Sequence, residues 1–130
     1  MWKPNEKEIA AVVNLDGRGR YAYLVKKAAD QERVWSLWKE SGWALASDAN
    51  AREAVPIWPH EKFALRCVNE AWQGFEPKEI PLDAWLGRWI PGMARDGRLV
   101  AVFPTDSDKG VFVLPGQLDG DLREELENYE

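Results

Sequence analysis

The chain has 130 residues, 45% of them apolar and 30% charged, with a net charge of −5 and a pI near 5.0. An acidic chain has no excess of Lys and Arg to displace phosphate counterions, which argues against nucleic-acid binding. Its single cysteine, Cys67, excludes an internal disulfide and a multi-cysteine metal site, and no segment approaches the roughly 20 apolar residues that a membrane-spanning helix needs.

This length suits one domain over residues 1–130, large enough to bury a core without a metal or disulfide. The N-terminal "MWKPNEKEIA" is charged and lacks an apolar run, so it is not a signal peptide, and the cytoplasm is the expected compartment. In "NEKEIAAVV", Asn5 is placed to cap a helix, with Glu8 able to reach back to it. A second helix, "RYAYLVKKAADQ", repeats Tyr21, Leu24, Val25 and Ala28 at helical spacing; Gly17 and Gly19 are expected to separate the two.

"RVWSLW" and "GWALAS" then read as antiparallel strands, with Gly42 taking the awkward turn angle. "EAVPIW" reads as a third strand, which Pro56 should hold at an edge or turn its missing N–H outward. Three apolar pieces run into a proline and then a helix-like piece, so Pro59, Pro81 and Pro115 mark expected strand-to-helix corners. In "LDAWLGRWI", Leu82, Trp85, Leu86 and Trp89 share a helix face, which Pro91-Gly92 should break or kink. "RLVAVFP" and "GVFVLP" form an expected hairpin, and the chain closes with an acidic helix whose buried stripe is Leu118, Leu122 and Leu126. The fold class is α+β: about five mostly antiparallel strands, with helices packed mainly on one face.

The lone histidine and lone cysteine invite a nucleophilic pair. If residues 60–70 are one helix, His60 and Cys67 stand two turns apart, about 10.5 Å along the axis, too far for a hydrogen bond. Cys67 shares a stripe with Phe63, Ala64, Val68 and Ala71, which makes it a core thiol. His60 starts the helix, either as a structural residue or as the one functional group on display. The loop "TDSDKG" fails the calcium-loop pattern, because the required Gly and Glu do not fall at the sixth and twelfth positions. "DGRGR" follows no strand and lacks a lysine-serine ending, so it is no phosphate loop. No cofactor, metal ligand set or catalytic residue is expected.

Eight tryptophans are too many for so short a core, and Trp often marks an interface. Trp43, Trp58, Pro59, His60, Trp85 and Trp89 are the candidate ligand or partner patch.

Taken in order, "RYAYLVKKAADQERVWSLW", "GWALASD", "VPIWPHEKFA", "IPLDAWLGRWIPGMARDG" and "VAVFPTDSDKGVFVLP" resemble the small bacterial family known as domain of unknown function 2750. The similarity covers about residues 18–126 and leaves the helix at 5–14 outside. The resemblance implies a bacterial, cytoplasmic, single-domain protein; it carries over no activity, cofactor or site. The expected function is a non-enzymatic protein-interaction module, such as an adaptor, a regulator or an immunity-type protein, with a protein partner or self-association. The alternative is a small-ligand-binding protein or minor enzyme using an aromatic pocket near His60.

Overall fold

Asn5 keeps extended backbone and its side chain accepts from the Glu8 amide at 2.8 Å, which starts α1 (Glu6–Val13). The Glu8 carboxylate does not reach back; it accepts from Tyr23 Oη at 2.6 Å and ties α1 to the next helix. The computed structural model describes residues 2–129 and, at Glu70, the backbone alone. Asp16 caps α2 (Gly17–Gln31) by accepting from the Gly19 amide at 2.8 Å. Gly17 and Gly19 therefore lie inside the first turn of α2, and the break falls just before them. At Gly17 a Cβ would come within 3.0 Å of Val111 Cγ2, so close packing is the reason for glycine there.

Glu32 takes a left-handed conformation, φ 56°, and turns α2 straight into β1 (Arg33–Lys39). Among the described residues the strands number seven: β1, β2 (Gly42–Trp43), β3 (Ala46–Ser47), β4 (Glu53–Ile57), β5 (Glu76–Pro81), β6 (Leu99–Val102) and β7 (Val111–Val113). They form two sheets, ordered β2-β1-β5 and β3-β4-β6-β7, and every named pairing except β4 with β6 is antiparallel. "GWALAS" is thus two short strands that serve different sheets, and "EPKEIP" is a full partner for β1, with Trp35 opposite Glu79. The expected α+β class and the Leu99–Val113 hairpin hold.

Pro56 lies in a strand flanked on both sides, not at a sheet edge. On one side β4 runs parallel to β6, with Pro56 in register with Ala101. On the other, β3 covers only Glu53 and Ala54, and β1 takes over at Trp58 through a two-bond bridge with Trp35. Pro56 falls in the gap between those partners, where no N–H is demanded, and its carbonyl accepts from Ser36 Oγ at 2.6 Å.

The three proline corners differ in detail. Pro115 is the first residue of α6 (Pro115–Leu126), Pro81 is the cap of α4 (Leu82–Ala84), and Pro59 precedes the cap of α3 (Glu61–Leu65). Helix α4 runs without a break through a π turn, Trp85–Trp89, into α5 (Ile90–Asp96), and Gly97 ends it at φ 71°. Of the expected break or kink at Pro91, no break occurs: the chain stays helical through it. The wider turn before it, where the Ile90 amide reaches back to the Trp85 carbonyl, makes room for a residue with no N–H.

One core draws on the whole chain. Leu24 and Ala28 of α2, Val34 and Leu37 of β1, Ile57 of β4 and Trp58 just after it, Val100 and Val102 of β6, and Leu118 and Leu122 of α6 are all fully buried in it. Burying a side chain of that size contributes roughly 1.5–3 kcal/mol each. Among the described residues no helix is long and apolar enough to cross a membrane.

Candidate functional site

The parallel strands β4 and β6 end side by side, and both lead into unusual backbone. After β4 come Trp58, Pro59 and His60, all buried. After β6 comes Phe103, fully buried at φ 57°, a left-handed conformation that costs a bulky L-residue energy. Arg20 holds it there. The Arg20 side chain, itself buried, donates from Nε to the Phe103 carbonyl at 3.2 Å and from Nη1 to the Leu15 carbonyl at 2.6 Å, while Nη2 pairs with Asp108 at 3.1 Å. The Phe103 amide bonds the Ile57 carbonyl at 2.9 Å, and Trp58 Nε1 donates to the Pro104 carbonyl at 2.8 Å. The two strand ends are therefore locked together.

His60 caps α3. Its backbone is extended, and Nδ1 accepts from the Lys62 amide at 3.2 Å. A nitrogen that accepts carries no proton, so the ring is neutral with its proton on Nε2. Burial, the largest cause, pulls the imidazole below its usual range, against a smaller opposing pull from Glu61. Among the described residues Nε2 makes no hydrogen bond.

His60 lines a cleft of about 420 Å³ together with Trp2, Trp35, Arg33, Lys3, Glu61 and Glu79. Trp2 meets the imidazole edge-on with ring centres 5.3 Å apart, and Trp35 lies 6.1 Å away at a tilt. Trp2 is positioned by Lys27, whose Nζ sits 4.6 Å over its ring, and by Lys62 Nζ donating to the Pro4 carbonyl at 3.1 Å. Arg33 donates to Glu79 at 2.7 Å across the β1–β5 pair. The cleft thus offers two aromatic walls, one imidazole N–H and a balanced set of charges.

The six residues singled out from the sequence are not brought together. Pro59 and His60 line the cleft. Trp58 is fully buried behind it and packs edge-on against Trp72, 5.8 Å between centres. Trp43, Trp85 and Trp89 form a separate stack: Trp89 lies 4.8 Å from Trp43 and 5.7 Å from Trp85. Trp85 is fully buried, and its Nε1 finds no acceptor among the described residues. None of the eight indoles is exposed; six are half-buried. Trp2, Trp35, Arg33 and Glu79 also line the cleft and carry no local signal that joins them to His60, because the Trp35–Trp58 bridge, the β1–β5 pairing and the fold of the N-terminal segment bring them there.

His60 and Cys67 face different cavities, so they form no nucleophilic pair. The reason is not the one expected: α3 ends at Leu65, and Cys67 lies in the turn beyond it. Cys67 is buried, its Sγ points to the Pro104 carbonyl at 3.4 Å, and burial pushes the thiol up to about 11. Among the described residues no group of three or more His, Cys, Asp or Glu side chains is arranged to hold a metal.

Residues 21–122 match the model of the family described as "Protein of unknown function (DUF2750)". That span includes all seven strands and every cleft residue except Trp2 and Lys3. No curated protein and no solved structure matches the chain.

Proposed function

Since the chain belongs to the DUF2750 family, whose description assigns no activity, we propose a function from the cleft alone: a binding protein for a small planar molecule. The observation that carries this is a largely buried, neutral His60 whose Nε2–H bonds no group among the described residues, beside the half-buried rings of Trp2 and Trp35. That N–H is reachable from solvent, so a ligand acceptor can take the place of water on it. A volume of about 420 Å³ lies within the range of small-molecule sites. The ligand is a flat ring that lies against the indoles and presents one acceptor to Nε2. Among the described residues Lys3 and Arg33 are matched by Glu61 and Glu79, which favours a ligand without net charge.

A partner-docking module draws less support, because the indoles expected to form its face are at least half covered. A ligand screen with ¹⁵N-labelled protein tests the reading. A binder should move the His60 Nε2 and the Trp2 and Trp35 indole signals together, and Trp35→Ala should abolish the shift. A library of neutral heteroaromatic compounds that leaves all three signals still would refute the proposal.

A further inference from the structure

A second cleft, of about 480 Å³, opens where the chain leaves β6. Its apolar side is Leu45 and the half-buried Trp72; its polar side is Asn69, Thr105, Asp106 and Ser107. We propose that this cleft binds a neutral, hydroxyl-rich ligand of the sugar or polyol class, one face against Trp72 and its hydroxyls toward the 105–109 loop.

Charge points to a neutral ligand. Of the charged groups that line the cleft among the described residues, Asp108 is paired with the buried Arg20, and Asp106 and Lys109 carry opposite charges. The remaining polar groups are hydroxyls and an amide, which suit a ligand carrying several O–H groups that both donate and accept. An apolar wall with a few convergent polar groups is the usual make-up of a small-molecule site.

The parts are set in advance. Trp72 stands at 90° to Trp58, and its Nε1 donates to the Leu45 carbonyl at 3.3 Å, which fixes the plane of the ring. The loop is closed by the Thr105–Asp108 bridge and by the Gly110 amide donating to Asp108 at 2.7 Å. Gly110 has φ 96°, and a Cβ there would meet the Val102 carbonyl oxygen at 2.9 Å, so the loop returns to β7 only with glycine. A rigid loop loses little entropy when a ligand binds. Cys67 contributes a buried, protonated thiol to the wall, an inert surface and not a nucleophile.

The test is an NMR titration of the intact protein with D-glucose, D-galactose, D-ribose and myo-inositol. At least one should give saturable shifts at the Trp72 indole N–H and at the 105–109 amides. Trp72→Ala and Asp106→Ala should each weaken binding at least about tenfold, equivalent to about 1.4 kcal/mol. Trp72→Phe keeps an aromatic face and should bind within about threefold of the parent, which separates lost recognition from lost folding. Unmoved signals with all four compounds, or equal binding by Trp72→Ala, would overturn the proposal. Tighter binding of glucose 6-phosphate than of glucose would overturn the neutral assignment.

Discussion

The indole N–H of Trp58 donates to the Pro104 carbonyl at 2.8 Å, and this one bond joins the ends of the two parallel strands. Both partners are buried, and among the described residues the same carbonyl otherwise receives only the weak donor of Cys67 Sγ. Trp58→Phe keeps most of the apolar contact but removes the donor and opens a small void. We expect a loss of about 2–4 kcal/mol, measured as a lower urea midpoint with an unchanged slope.

Arg20 serves three acceptors, two of them main-chain carbonyls. Arg20→Met should therefore cost more than Asp108→Asn, about 2–4 kcal/mol against about 1–2. Asp108 is about half exposed, so its carboxylate is not stranded when the guanidinium goes. In a double-mutant cycle the pair should couple by about 1 kcal/mol; strict additivity would show that the ion pair contributes nothing.

The His60 cap makes stability depend on pH. Its folded pKa lies below the unfolded value of about 6.5, so between the two the unfolded chain binds more protons. His60's contribution is thus whole above about pH 6.5 and is lost as pH falls toward the folded pKa. Protonation of Nδ1 also removes the acceptor for the Lys62 amide. His60→Asn keeps a cap acceptor without titrating, and should flatten the stability profile from about pH 7 to about pH 5. His60→Ala should cost about 1 kcal/mol at neutral pH. Chemical denaturation across that range gives both numbers.

Gly17→Ala sets helix propensity against packing. Alanine favours the first turn of α2 by up to about 1 kcal/mol, but its Cβ would press on Val111 Cγ2 at 3.0 Å. We expect a net loss of about 1 kcal/mol in the parent and a gain of a few tenths in a Val111→Ala background. A loss of the same size in both backgrounds would remove the packing explanation.

Local chemistry was legible in the sequence, and long-range pairing was not. The Asn5 cap, the Gly42 turn, the stripe of Leu118 and Leu122 and the core position of Cys67 follow from neighbours a few residues apart. Of the two placements expected for Pro56, the edge fails, because a missing N–H implies an edge only when one partner flanks the whole strand; here two partners share that side and leave a gap. Pro91 misled because a π turn relieves the clash that breaks a regular helix. The cleft was half visible. His60 stood out as the only histidine, but Trp2 is held beside it by the cation–π contact with Lys27, and Glu79 arrives through strand register, neither of which has a local pattern.

The pairings also interlock along the chain. β1 waits for β5, residues 33–39 with 76–81, while β4 waits for β6, residues 53–57 with 99–102. Each loop encloses one end of the other. A cut anywhere between residues 57 and 76 severs both pairings at once, so neither half of the chain keeps a finished sheet. Synthesis from the N-terminus meets the same condition: β1 and β4 must stay unpaired on their long-range sides until about residue 81 and residue 102 have emerged. Closing two crossed loops together concentrates the entropic cost in one late step, so folding should be slow for the chain's length and without a stable half-formed state.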